Sequence, residues 1–388
     1  MEKCNQVINQ GKQKQAKEYQ NKKILFKIVG AALFLSYFLI LIFCNFSFTI
    51  KEEILHFIDL EWQVIALYIF FVLTAYNLIS LPLEFYTSYT FEHKYHFSTQ
   101  TVKDWFKDYL KSYLLSLSLA VPIMEGIYWA IRIFPLNWYL IVSIFTIFLT
   151  VLLSYLSPIW LTPLFFKLKK IEEDNELAKR LIRLCNRINT KVKGVYEINF
   201  SSKTTKANAY LSGLGNTRRI VIADNLLENF TLDEAEVVFA HELGHQVHKD
   251  LIKGIFWINL MYLGAFYFTS LFLKKFSFYL RYELSDISNF PVFALSMVVI
   301  IFLLGIPLNF YSRKREWNAD KFALKITQKV DAFITSMAKF TNRDLADAYP
   351  YPLIEFLFYT HPSISRRINY AQNFKKKIGL KCKKIILN

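Results

Sequence analysis

At 388 residues, with 54% hydrophobic and 17% aromatic residues against 20% charged, the chain is too apolar for the two soluble domains its length would allow, and it reads as a polytopic membrane protein. The net charge of +16, from 47 Lys and Arg against 31 Asp and Glu, raises nucleic acid as a partner, but the lysines flank apolar runs, so the expected partner is a lipid bilayer and no nucleic acid. Four cysteines, Cys4, Cys44, Cys185 and Cys382, show no paired spacing, so neither a disulfide framework nor a cysteine metal site is expected.

Residues 1–24 form a basic N-terminus carrying Lys12, Lys14, Lys17, Lys22 and Lys23, whereas the loop 47–61 has only Lys51. That asymmetry places the N-terminus on the cytoplasmic side. The first apolar run, Leu25–Phe46, is too long for a signal peptide and no small-residue cleavage site follows it, so it stays as a helix. Trp62–Leu83, Tyr113–Phe134 and Trp138–Ser157 complete four spans within 25–165. Glu125 lies inside the third, where an acid must face protein or water, either lining a cavity or pairing with Arg132. Two more spans, Ile255–Leu273 and Phe290–Tyr311, fall within 251–312 and bring the total to six. Alternation then puts Lys94, Lys103 and Lys107, the polar segment 166–250 and the C-terminal part 313–388 on the cytoplasmic side, with Lys274, Lys275 and Arg281 running against the rule.

Segment 166–250 opens on a basic stretch and the acidic patch Glu172–Asp174, followed by a helical pattern of Leu177, Leu181, Ile182, Leu184 and Ile188. Two β-type runs, Val192–Phe200 and Arg218–Ala223, are separated by Asn208-Ala209-Tyr210-Leu211-Ser212-Gly213. A small sheet is expected beside a helix that starts near Thr231, where Thr231-Leu232-Asp233-Glu234 has the makings of a capping box.

That helix carries His241-Glu242-Leu243-Gly244-His245. Histidines at i and i+4 point two imidazoles from one face at a single zinc, and Glu242 beside them can take the proton of an attacking water. A catalytic zinc needs a third protein ligand and an open position. Glu316, at the end of the last span, is the candidate, with Asp320 one turn later to hold a ligand histidine by its other nitrogen; the competing reading of Glu316 is a salt bridge to Arg313 or Arg315. His248, one turn past His245, is read as an outer residue of the site or a merely exposed one, because a fourth ligand would close the metal to water. His361 and Arg367 are candidate donors to the oxyanion, although a histidine before Pro362 is also an ordinary loop residue.

These residues resemble the type I CaaX prenyl endopeptidases, membrane zinc metalloproteases of the gluzincin type. The likeness runs from about residue 75 to 372: Tyr89-Thr90-Phe91-Glu92-His93-Lys94, Thr162-Pro163-Leu164-Phe165, Asn208-Ala209-Tyr210, Arg219-Ile220-Val221, Asp224, the HELGH motif, Glu316-Trp317-Asn318-Ala319-Asp320, and His361-Pro362 with Arg367 follow in family order. The resemblance implies that His241, His245 and Glu316 bind one zinc per chain, that Glu242 is the base, that Asn208 with Ala209 and Tyr210 meets the substrate backbone, and that His361 and Arg367 steady the peptide and its tetrahedral intermediate. It also implies a helical barrel around a large chamber, although family members often have seven spans and six are counted here.

The expectation is thus a mainly α-helical polytopic membrane protein with a metalloprotease part containing a small β-sheet. It would act on peptide or protein substrates, removing the C-terminal residues of prenylated CaaX proteins, in the endoplasmic reticulum or a bacterial inner membrane. Two rivals stand beside it: a quality-control protease with no need of a prenyl group, and a scaffold or transporter with structural zinc. An intact Glu242 counts against the last.

Overall fold

A computed structural model describes residues 8–213 and 215–386. Cys4, Leu387 and Asn388 lie outside them, as do the side chains of residues 379–386, Cys382 among them. Among the described residues six helices are long and apolar enough to cross a membrane: α1 (Gln10–Phe43), α3 (Glu61–Lys94), α4 (Val102–Ile133), α5 (Trp138–Phe165), α9 (Asp250–Leu280) and α10 (Ile287–Thr327). Each holds most or all of one of the six apolar runs and continues beyond it at one end or both, although α1 stops at Phe43, three residues short of the run's end at Phe46, and α4 stops one short at Ile133. Hydropathy marks only the stretch that tolerates lipid, whereas a helix continues wherever its backbone bonds are made internally. The hydroxyls of Ser143, Thr146, Thr150 and Ser154 follow the same logic on α5, each donating to the carbonyl four residues earlier.

From Gln10 on, the basic N-terminus is the polar third of α1, with Ala16 and Tyr19 buried. Gln13 Nε2 donates to the Ala346 carbonyl at 3.3 Å, Ala348 N donates to Gln13 Oε1 at 3.0 Å, and Gln20 Nε2 donates to the Leu345 carbonyl at 3.0 Å. The lysines therefore sit at the same end of the helices as the segments after α10. At the opposite end a short helix, α2 (Phe46–Leu55), is tied to the start of α10 and the connection before it. Ser47 Oγ donates to the Ser288 carbonyl at 2.7 Å and Lys51 Nζ to Asp286 Oδ2 at 2.9 Å.

The polar segment folds as β1 (Leu168–Lys170), α6 (Glu176–Arg187), β2 (Val195–Ile198), β3 (Ala209–Ser212), β4 (Arg219–Ala223), α7 (Asp224–Asn229) and α8 (Leu232–Val247). The sheet order is β1-β2-β4-β3, with β2 and β4 parallel and the outer pairs antiparallel. Two of its strands are the β-type runs; a third, β3, comes from the stretch expected to separate them. Four residues of alternation were too short a signal. β3 lies at the sheet edge, and Ala209 packs with Ala240 and Leu243 of α8.

Helix α8 starts as expected: Glu234 N donates to Thr231 Oγ1 at 3.3 Å and Thr231 N to Glu234 Oε2 at 2.8 Å, a reciprocal capping box. Val237, Phe239, Ala240 and Leu243 are buried, each worth about 1–3 kcal/mol of apolar burial according to size. α10 runs unbroken past its apolar part and crosses α8 closely. A Cβ on Gly244 would lie 2.8 Å from the Ala319 Cα, so only glycine lets the two backbones approach this far. Beyond α10 come α11 (Val330–Arg343), α12 (Pro352–Phe358) and α13 (Ile364–Ile386).

Candidate active site

The crossing of α8 and α10 brings His241, His245 and Glu316 together, with one ligand atom from each lying within 4.8 Å of the others. Glu316 turns to the histidines: Oε2 is 3.1 Å from His241 Nε2 and Oε1 is 3.4 Å from His245 Nε2. The salt-bridge alternative is not realised, because Arg313 donates to the carbonyls of Glu355, Phe356 and Tyr359 and Arg315 points toward Asp250.

Both imidazoles are oriented from behind. His241 Nδ1 lies 2.9 Å from Asp320 Oδ1 and His245 Nδ1 lies 2.9 Å from Asp250 Oδ2, so each Nε2 faces the centre. Asp250 was absent from the sequence reading. Its signal was an acid five residues past the second histidine. What brings it back is Lys249, whose left-handed backbone at φ 54° reverses the chain between α8 and α9.

Arg367 is buried behind Asp320, with Nε 2.8 Å from Oδ2 and Nη2 2.6 Å from Oδ1, a two-pronged ion pair. Its Nη2 is also 3.5 Å from His241 Nδ1. His361 is exposed, with Nε2 3.4 Å from Glu316 Oε2 and Nδ1 2.9 Å from Thr360 Oγ1. His248 turns away, its Nδ1 2.7 Å from the Gly244 carbonyl. Asn208 leads into β3, and its carbonyl accepts from Ala223 N at 2.9 Å while Ala209 and Tyr210 pair with β4. Glu125 Oε1 is buried without a hydrogen-bond partner, and Arg132 contacts Glu61 instead.

The donor set suits a cation. Four carboxylates, from Glu242, Asp250, Glu316 and Asp320, meet two imidazoles and the Arg367 guanidinium, an excess of negative charge in a buried place. Glu316 Oε2 has no hydrogen-bond partner although His241 Nε2 is 3.1 Å away. Atoms that close, but not aimed at each other, converge on a shared point as ligands do. Burial pushes the His241 imidazole down, but the hydrogen bond to Asp320 and the nearby Glu316 carboxylate outweigh it and raise it to about 10. His245 is raised in the same way by Asp250 and Glu316. Burial raises the Glu242 carboxyl above the ordinary carboxylate range, with the two histidines pulling the other way.

Fold and site together define a membrane-embedded metallopeptidase of the HExxH kind. The model of peptidase family M48 matches residues 172–375, and that of the CAAX prenyl protease N-terminal part, described as five membrane helices, matches residues 2–167. The chain belongs to peptidase family M48. Among the described residues of 2–167 it has four membrane-length helices and the ten-residue α2. It is 28% identical to an uncharacterized metalloprotease, YhfN, of Bacillus subtilis, covering 92% of this chain and 84% of that one. It is 26% identical to CAAX prenyl protease 1 of Saccharomyces cerevisiae, covering 77% and 71%. The crystal structure of S. mikatae Ste24p shares its fold with a TM-score of 0.85 at 21% identity, over 95% of this chain and 90% of that one.

Proposed function

We propose that the protein is a zinc endopeptidase that trims the C-terminal residues of prenylated CaaX proteins, with its site on the cytoplasmic side. The carrying observation is the inward convergence of His241 Nε2, His245 Nε2 and the Glu316 carboxylate while carboxylates occupy both Nδ1 atoms. His241, His245 and Glu316 would hold the metal. When bound, zinc acidifies water and polarises the scissile carbonyl. Glu242 takes the proton of the attacking water and returns it to the leaving amine. Asp320, clamped by Arg367, and Asp250 keep the imidazoles in the tautomer that presents Nε2. His361, beside Glu316, donates to the oxyanion as it forms. Arg367 serves this chemistry through Asp320, as a positioning residue. The free edge of β3 after Asn208 lies beside α8 and can pair with an extended peptide.

The CaaX preference rests on the yeast relative's name together with the ordered motifs. The Bacillus relative, named only as a metalloprotease, favours a second reading in which no prenyl group is needed. Orientation is supported by the docking of lysine-bearing α1 on the Leu345–Ala348 segment, at the site's end of the molecule.

Zinc analysis and cleavage of a farnesylated CaaX peptide by purified protein test the proposal, beside Glu242→Ala and the unprenylated peptide. Zinc in both proteins, with cleavage only by the wild type and chiefly of the farnesylated peptide, is the expected result. Equal cleavage of both peptides selects the second reading, and a protein that binds no zinc sinks both.

A further inference from the structure

Behind His245 a pocket of about 400 Å³ opens between α5, α9 and α10, with Asp250 and Thr360 in its lining. Its wall is largely apolar, with Trp257, Ile258 and Leu308, and Arg315 is the cation on it. Arg315 has no settled partner. Its Nε is buried without a hydrogen bond, and it donates none to any described residue. Its nearest acid, Asp250, stands 3.9 Å from Nε, and the Asp250 oxygen it faces is the one already engaged by His245 at 2.9 Å. The Tyr311 ring, 5.8 Å from the guanidinium carbon, supports the group without satisfying its donors.

A guanidinium carries five N–H groups in a planar fork, and the one that is buried here, on Nε, is costly to leave unanswered. The group that matches the fork is a carboxylate. Peptides offer two kinds, the C-terminus and acidic side chains, and the apolar wall suits the end of an apolar tail. Distance sets the length of that tail. Through the shared Asp250 oxygen, Arg315 Nε is no more than about 7 Å from His245 Nδ1, or about two residues of extended chain at ~3.3 Å each. The scissile bond lies on the far side of the His245 ring, which adds about one residue more.

We propose that Arg315 and this pocket bind the free C-terminal carboxylate of the substrate, two or three residues beyond the bond that is cut. The inference rests on the peptidase reading and gives it a measuring device: the enzyme counts back from a free C-terminus. A chain that continues past the pocket, or ends in an amide, leaves Arg315 unpaired.

The test uses the full-length protein and three peptides of one sequence: the free acid, the C-terminal amide, and an amide whose last residue is Glu. Wild type should favour the acid by at least about tenfold in kcat/KM over both amides. In Arg315→Gln that ratio should fall toward one, and Arg315→Lys should restore part of it, with zinc content unchanged in both. Binding of the labelled peptides to Glu242→Gln, with and without Arg315→Gln, gives a reading independent of turnover. Equal handling of acid and amide by wild type overturns the proposal; so does preference for the Glu-ended amide, which would assign the pocket to acidic side chains. An equal loss on all peptides in Arg315→Gln also overturns it, by showing that Arg315 only steadies Asp250. If no peptide is cleaved but the acid still binds tenfold better, the peptidase reading fails and the carboxylate site stands.

Discussion

His241 and His245 sit one turn apart on α8, and the ground behind them differs. Asp320 behind His241 is fully buried and gripped at both oxygens by Arg367. Asp250 behind His245 is buried as well, but Arg315 stands 3.9 Å off and keeps its donors free beside a pocket. One carboxylate has its charge answered inside the fold, and the other has it answered only in part. The same residue pair, an aspartate backed by an arginine, thus serves closure on one side and reception on the other.

Arg367→Leu and Arg315→Leu should break that symmetry most visibly. Removing Arg367 strips Asp320 of its cation and leaves a buried carboxylate with only the His241 hydrogen bond, which costs about 3–5 kcal/mol, and thermal unfolding in detergent should show it as a large drop in midpoint. Arg315→Leu removes a cation with no close partner and should cost about 1 kcal/mol or less. Equal losses would mean that Arg315 is as structural as Arg367.

Gly244→Ala attacks both sides at once. The new methyl would meet the Ala319 Cα at 2.8 Å and force α10 away from α8, shifting Glu316 against both histidines. The expected cost is about 1–3 kcal/mol, together with weaker zinc retention during dialysis against a chelator. A variant that keeps wild-type zinc affinity would show that the crossing is softer than the geometry implies.

The aspartates separate the two sides more finely. Asp320→Asn and Asp250→Asn each remove a carboxylate from a ligand histidine, a change that lowers metal affinity by about 10–100-fold. Asp320→Asn should lie at the upper end, because it also strands Arg367, and Asp250→Asn at the lower end. Chelator competition on the two variants reads the order directly.

How far this arrangement was legible follows from where each signal sits. His241, Glu242 and His245 share one helical turn, and the Thr231 cap and Glu234 fix where that helix begins, so local periodicity was enough. Glu316 and Asp320 could be joined to them because a four-residue spacing on a continuous helix presents two acids on one face. The six spans were legible because lipid demands long apolar runs, while the polar ends of α1 and α10 were not, since nothing in hydropathy says where a helix stops. β3 escaped because its four residues gain their meaning from β4 and α8. Asp250 and Arg315 escaped for a related reason: each is an ordinary charge beside a membrane helix until the turn at Lys249 and the packing of α9 on α10 bring it to His245. Arg367 was picked out, but its bond to Asp320 is a tertiary fact.

The most diagnostic difference is in proton linkage. Without metal, His241 is raised to about 10, against about 6.5 for an unperturbed imidazole, so between those values the folded metal-free protein holds a proton that the unfolded chain has released. The stability this proton contributes is fully present below about pH 6.5 and is lost as pH rises through about 10. Metal-free protein should therefore unfold more easily at pH 9 than at pH 7 as far as this group is concerned. Zinc affinity runs the other way, because a ligand imidazole must be neutral; each pH unit lost below about 10 should cost up to about tenfold from His241 alone. Asp320→Asn removes the largest upward pull on His241, so its zinc-affinity profile should flatten at a lower pH than that of the wild type. Asp250→Asn acts on His245 and leaves the His241 proton where it was, so the slope near pH 9 should persist. Chelator competition from pH 6 to pH 10 distinguishes the two; superimposable profiles would mean that the two aspartates hold their histidines equally and that the contrast between closure and reception lies in the arginines alone.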